Sequence, residues 1–137
     1  MPGFWIVKTE PSTYSYDDLE RQKKAVWDGV KNNLALNHLR QVKPGDRVLV
    51  YHTGDEKAVV GVAEATSEAY PDPKQKDPKL AVVDLRAVGR LPRPVPLAEI
   101  KKDRAFADLG LVRMGRLSVM PVSPEQYQRL LKLGGMK

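Results

Sequence analysis

The sequence predicts an α+β fold built on a small barrel or strongly bent sheet of mixed or antiparallel strands, decorated by short helices. Three observations lead there. Short runs of apolar and β-branched residues recur along the chain, with helical patterns scattered between them and never in strict βαβ alternation. The small residues Gly61, Ala63 and Ala65 alternate with Val60, Val62 and Glu64, a pattern suited to a curved sheet where another backbone comes close. Finally, 137 residues with no internal repeat and no visible boundary fit one domain, 1–137, large enough to bury its own core.

The elements follow in order. Phe4 to Thr9 reads as a first strand closed by Glu10-Pro11. Ser15 is a good N-cap for a short helix, with Asp17 and Asp18 in the first turn complementing its dipole. A second helix is expected from about Asn32 to Gln41, with Ala35, Leu39 and Val42 at the spacing of a buried stripe. Lys43-Pro-Gly-Asp46 is a turn by composition. Arg47 to Thr53 and Ala58 to Ala65, joined through a Gly-Asp turn, should form a hairpin. Tyr70 to Pro78 reads as a polar, proline-rich loop and Leu80 to Val88 as a further strand. After a linker, Leu91 to Pro96, come a short helix at Leu97 to Lys102 and a last strand at Leu117 to Met120. Ser123-Pro-Glu-Gln126 starts the final helix with a serine cap, proline at the first position and glutamine placed to close a capping box. Tyr127, Leu130 and Leu131 form its inward face, and Gly134-Gly135 ends it.

Composition narrows the function. Hydrophobic residues at 42% and charged residues at 29% describe a globular chain rather than a disordered one. No apolar run reaches membrane-spanning length, so no membrane association is expected. The N-terminus lacks a basic leader followed by a long apolar stretch, so no secretory signal is expected. The absence of cysteine excludes disulfides, thiolate metal sites and a cysteine nucleophile, and it agrees with a cytoplasmic location. His38 and His52 are too few for a histidine-rich metal site, and no phosphate-binding glycine loop or nucleophile elbow is present. No metal or cofactor is therefore expected. Glu10, Asp28 and Glu64 could in principle pair as acid and base, but their spacing does not favour it. The chain is read as a binder, not an enzyme. The net charge of +6 argues for an anionic partner, though the positive residues are dispersed; charge would supply approach and a pocket selectivity.

The candidate pocket begins at Ala25-Val-Trp-Asp-Gly-Val-Lys-Asn-Asn33, which sets a large aromatic beside an acid, a glycine and two amides. Such a group can stack a planar ring and read its edge, and in a cationic protein the natural ring is a nucleobase. A buried core role for Trp27 is the alternative. Three further segments carry polar or aromatic side chains at the edge of an apolar run: Trp5-Ile-Val-Lys-Thr-Glu-Pro11, Leu49-Val-Tyr-His-Thr53 and Leu111-Val-Arg-Met-Gly-Arg-Leu-Ser-Val119.

With these four segments in this order, and with Ala69-Tyr-Pro-Asp-Pro73 and the ending Pro121-Val-Ser-Pro-Glu-Gln126, the chain resembles the EVE domain family, of the thymocyte nuclear protein type within the PUA-like superfamily. The resemblance spans almost the whole length. It implies a PUA-like β-barrel decorated by helices, related to modules that recognise modified bases, among them readers of methylated adenine in RNA. It also implies a nucleic-acid binder, of DNA or RNA, that holds a single base in an aromatic-lined pocket; family members are associated with modified cytosines in DNA. Carried over residue by residue, it makes Trp27 a stacking wall and Asn32 an edge reader, with Lys8, Thr9 and Glu10 contributed by the first strand. Tyr51 and His52 would line the mouth, and Arg113, Arg116 and Ser118 would meet the base or a neighbouring phosphate.

The chain also departs from the family pattern. Lys31-Asn-Asn-Leu-Ala-Leu-Asn37 stands where Arg-Asn-Tyr-Gln-Ala-Arg-Asn is usual, Lys8-Thr-Glu-Pro11 replaces Lys-Ser-Glu-Pro, and Met114 replaces glutamine. The second helix is thus less cationic and less polar than in typical members. Several residues carry a second reading. Trp5, alternating inside a strand, is expected in the core. Tyr51 and His52 point to opposite faces, so only one can face the pocket unless a bulge intervenes. Arg113 and Arg116 could instead be salt-bridged loop residues, and Glu10 could cap or pair with Lys8. Two rival functions are an enzyme acting on nucleic acid or a nucleotide, with His52 as general base and Arg113 or Lys8 stabilising charge, and a protein-interaction module with a basic surface.

Overall fold

In the computed structural model, residues 3–77 and 79–136 are described; the first two residues of the expected N-terminal segment and the Pro78 end of the expected loop lie outside them. The strands are β1 (Phe4–Thr9), β2 (Lys24–Trp27), β3 (Arg47–His52), β4 (Ala58–Ala65), β5 (Tyr70–Pro71), β6 (Ala81–Pro96) and β7 (Val119–Pro121). The helices are α1 (Tyr16–Gln22), α2 (Asn33–Leu39), α3 (Leu97–Lys101), α4 (Gly110–Arg113) and α5 (Pro124–Leu133), with a 3-10 turn at Arg104–Phe106. The sheet runs β2-β6-β4-β3-β1-β7, with β5 added to β6. β1 lies parallel to β3 and antiparallel to β7, and the other pairs are antiparallel. Register shifts at Val50/Tyr51, Val59/Gly61 and Val62/Ala63 bend this mixed sheet into a half-barrel around the core.

Local signals set the helix starts. The Ser15 and Ser123 side chains each accept the third helical N–H, and Asp18 and Gln126 return the bond, so both helices begin with a complete capping box. Trp5 is core as expected, 7% exposed, and its indole N–H donates to the buried Asp46 carboxylate at 2.9 Å. The small residue at Gly61 has a different cause from the one expected. A Cβ there would stand 2.5 Å from the Tyr16 ring, so an aromatic side chain, not a backbone, presses on the sheet. The Tyr16 hydroxyl donates to the Val62 carbonyl at 2.7 Å and accepts from Gly89 N–H at 3.0 Å, bridging β4 and β6.

Two expectations need correction. The segment Leu91 to Pro96, expected as a linker, is the second half of the long strand β6. Pro92 and Pro94 fit because β6 bulges there: between the Gly61–Arg90 and Val59–Val95 pairs, Val60 alone stands opposite residues 91–94, which leave the ladder and need no donor for it, while Pro96 ends the strand opposite Ala58. Inside the expected loop, Tyr70–Pro71 pairs with Ala81 and Val82 as β5.

Candidate functional site

The largest hollow is a cleft of about 650 Å³ where the C-terminal end of β1 meets α1 and β2. Lys8, Thr9 and Glu10 form one side, and Trp27, Asp28 and Gly29 the other. Trp27 is both core and wall: it is 7% exposed, and the Tyr14 ring meets it edge-on with centroids 6.0 Å apart. Tyr14 is fixed in turn, for Thr9 Oγ1 donates to its carbonyl at 2.6 Å and its own hydroxyl donates to Gln22 Oε1 at 2.6 Å. Partial burial, reinforced by the Asp18 charge, raises the Tyr14 phenol above its ordinary range and keeps it a donor. Asp28 is exposed, and its carboxylate has no hydrogen-bond partner among the described residues. Glu10 does not pair with Lys8. Its two oxygens accept from Ser12 Oγ and Thr53 Oγ1, each at 3.2 Å, so it ties the end of β1 to the β3–β4 turn.

A second hollow, about 240 Å³, opens on the other side of Lys8, over Tyr51. The Lys8 ammonium donates to the Gly115 carbonyl at 2.7 Å and sits 5.7 Å from the Tyr51 ring centroid. Burial pushes this amine below the usual lysine range and the Tyr51 phenol above its own. His52 points the other way. Its Nε2 accepts Tyr16 N–H at 2.9 Å, so Nδ1 carries the proton and donates to Glu56 at 2.6 Å. With both nitrogens engaged and the ring 5% exposed, His52 lines no hollow and has no free lone pair for a general base. Of the two neighbours, Tyr51 alone borders a hollow.

A third hollow, about 370 Å³, lies between the start of α2 and the loop after α4. Asn32, Leu34, Arg113, Met114 and Arg116 line it. Asn32 is therefore separated from the Trp27 cleft, and its Oδ1 caps α2 by accepting from Ala35 N–H at 3.0 Å. Ser118 lines none of the three hollows; its carbonyl accepts the Lys8 N–H at 2.9 Å. Lys8 joins the first hollow to the second, and Gly115 joins the second to the third. Arg113 and Arg116 form no ion pair among the described residues, and neither do Lys8, Lys57, Lys74 and Lys101 on the same chain of hollows. The paired cations, such as Arg86 with Glu64 and Arg90 with Asp17 and Glu20, lie elsewhere.

The EVE domain family model matches residues 3–133. The chain belongs to the EVE domain family. This EVE domain is 30% identical over 167 residues to mouse thymocyte nuclear protein 1, a match covering 97% of this chain and 74% of that protein. Protein Atu2648 from Agrobacterium tumefaciens has the same fold, with a TM-score of 0.94, 34% identity, and 98% and 94% of the two chains covered. Human THYN1, solved in complex with DNA containing 5-methylcytosine, superposes with a TM-score of 0.89 at 29% identity, covering 98% of this chain and 99% of that one. Among the described residues of this EVE domain, no cluster of three or more histidine, aspartate or glutamate side chains could hold a metal ion, and no helix is long and apolar enough to cross a membrane. Tyr14, Gln22 and Lys74 also line its main cleft, and the sequence reading did not single them out. A serine cap at Ser15 was visible, but the strand β2 that brings Gln22 and Asp28 to the same cleft was not.

Proposed function

We propose that this EVE domain binds DNA without catalysis and holds one base, with 5-methylcytosine the first candidate, in the cleft that Trp27 and Tyr14 border. The observation that carries this reading is the pairing of fixed aromatic walls with an unpartnered acceptor, Asp28, in a space of about 650 Å³. Stacking on such a wall contributes about 1–3 kcal/mol and accepts any base. Discrimination needs edge contacts: the Asp28 carboxylate suits the exocyclic amine of cytosine, and the half-exposed Val26 at the cleft offers an apolar surface for a ring methyl. The superposition with the human protein in its complex with 5-methylcytosine DNA favours that ligand first. A non-catalytic role accords with the engaged His52. The vertebrate relatives are named nuclear proteins, so they lend no support to a cytoplasmic location.

Calorimetric titration tests this reading with DNA carrying cytosine, 5-methylcytosine or thymine at one position, and with RNA of the same sequence. Asp28→Ala leaves the fold intact, because the residue is exposed, and weakens binding of cytosine-type bases about tenfold while sparing thymine. Equal affinity of wild type and variant for every oligonucleotide would remove the base from this cleft.

A further inference from the structure

We propose that the hollow over Tyr51 is a phosphate subsite, taking the phosphodiester adjoining the base held in the Trp27 cleft; the assignment of a flanking linkage rests on that cleft being the base site. Three lysines from distant parts of the chain border this hollow: Lys8 from β1, Lys57 before β4 and Lys101 at the end of α3. No carboxylate lines it. None of the three ammonium groups has an ion pair among the described residues, although arginines elsewhere on the surface do. Two nearby acids are occupied: Glu56 accepts from His52 Nδ1–H, and Glu10 accepts from Ser12 and Thr53.

Lys8 has the strongest need for a counter-ion. An ammonium carries three donors, and Lys8 makes one hydrogen bond, to the Gly115 carbonyl. It is half-buried against the Tyr51 ring, where a missing partner costs most. Lys57 adds an independent sign. It is a non-glycine residue at φ 47°, a left-handed conformation that glycine adopts freely and lysine does not, and its carbonyl is pinned there by Leu97 N–H at 2.8 Å. A charged side chain at a position suited to glycine points to use of the side chain. An anion in this space would meet all three lysines, and Lys8, shared with the larger cleft, makes the phosphate beside a held base the natural occupant.

The test uses DNA with one 5-methylcytosine in which the linkage on either side is replaced, one at a time, by an uncharged methylphosphonate. Wild type loses about tenfold in affinity for one of the two replacements. The Lys57→Met/Lys101→Met variant, altered only at exposed positions, binds unmodified DNA more weakly. It no longer distinguishes that replacement, and its log–log salt slope is shallower by about one per lysine. The proposal falls if wild type ignores both replacements or if the variant keeps the full penalty. Should unmodified DNA not bind at all, the base-cleft reading fails on its own. Dimethyl phosphate, followed by the Gly54 and Gly115 amide resonances, then decides the subsite: shifts seen in wild type and absent in the variant uphold it, and no shift in either overturns it. Shifts produced by polyglutamate and not by dimethyl phosphate would give the hollow to an acidic protein and overturn it as well.

Discussion

The cleft at Trp27 and the hollow over Tyr51 meet at Lys8, yet their walls differ in kind. The cleft mixes aromatic faces with both signs of charge, Glu10 and Asp28 against Lys8 and Lys74, whereas the hollow sets three lysines around one phenol ring. Its aromatic, Trp27, is locked by core packing, and its polar edge is fixed by short side-chain bonds. The cationic groups of the hollow are exposed at Lys57 and Lys101, and one sits on strained backbone. A cleft with fixed donors and acceptors can tell one ring from another; three ammonium groups around a hollow sense charge. On the proposed reading, the two regions divide selectivity from attraction.

Three changes would break or sharpen that division. Trp27→Ala strikes the packed wall and should cost about 3–5 kcal/mol of folding stability, read by urea denaturation. A cost below about 1 kcal/mol would mean that Trp27 is a surface platform and not part of the core. Lys57→Gly should act oppositely on fold and binding: relief of the left-handed strain stabilises by about 1 kcal/mol, while DNA affinity drops. A melting temperature that falls would show that the Lys57 side chain supports the fold. The smallest effect is a proton linkage at Lys8. Its folded pKa lies below 10.5, so folding alone disfavours its proton, and stability at this group rises as pH climbs through the lowered value. A bound phosphate reverses the sign by favouring the ammonium. DNA binding should therefore take up protons on the alkaline side and weaken as pH rises, visible as buffer-dependent binding heats that vanish in Lys8→Met.

Much of the fold was legible because its signals are local. Ser15 with Asp18, and Ser123-Pro124 with Gln126, announce two helix starts within four residues of sequence, and the β3–β4 hairpin follows from adjacent apolar runs. β2 was missed because Lys24–Trp27 has no pattern of its own; it becomes a strand by pairing with Arg86 to Val83 of β6, far along the chain. The four-residue α4 has no capping side chain to announce it, and Pro92 and Pro94 hide a strand whose bulge excuses them. In the site, resemblance drew together Lys8, Thr9, Glu10 and Trp27, and these four share one cleft. Asn32 stands apart from that cleft, because an amide before a helix serves equally as edge reader and as cap, and its spacing to Ala35 is the cap's. Strand alternation correctly limited Tyr51 and His52 to one hollow-facing residue, but the aim of each ring depended on a bulge at Val50/Tyr51 that composition does not reveal.

The parallel pairing of β1 with β3 has a consequence for the order of assembly. β1 is an inner strand, held by β3 on one edge and by β7 on the other, with Phe4 opposite Arg47 and Val7 opposite Val119. β1 therefore waits for β3 and then for β7, both of which follow it far along the chain, and loop closure over such separations is slow. During synthesis, Lys8 can meet Tyr51 only after β3 has emerged, and the Gly115 carbonyl only after the segment following α4 has emerged. A ribosome-bound intermediate, surrounded by RNA, would carry neither hollow in finished form. Competence to hold a base and its neighbouring phosphate together would then wait for the last of these pairings, and its rate would report completion of the sheet.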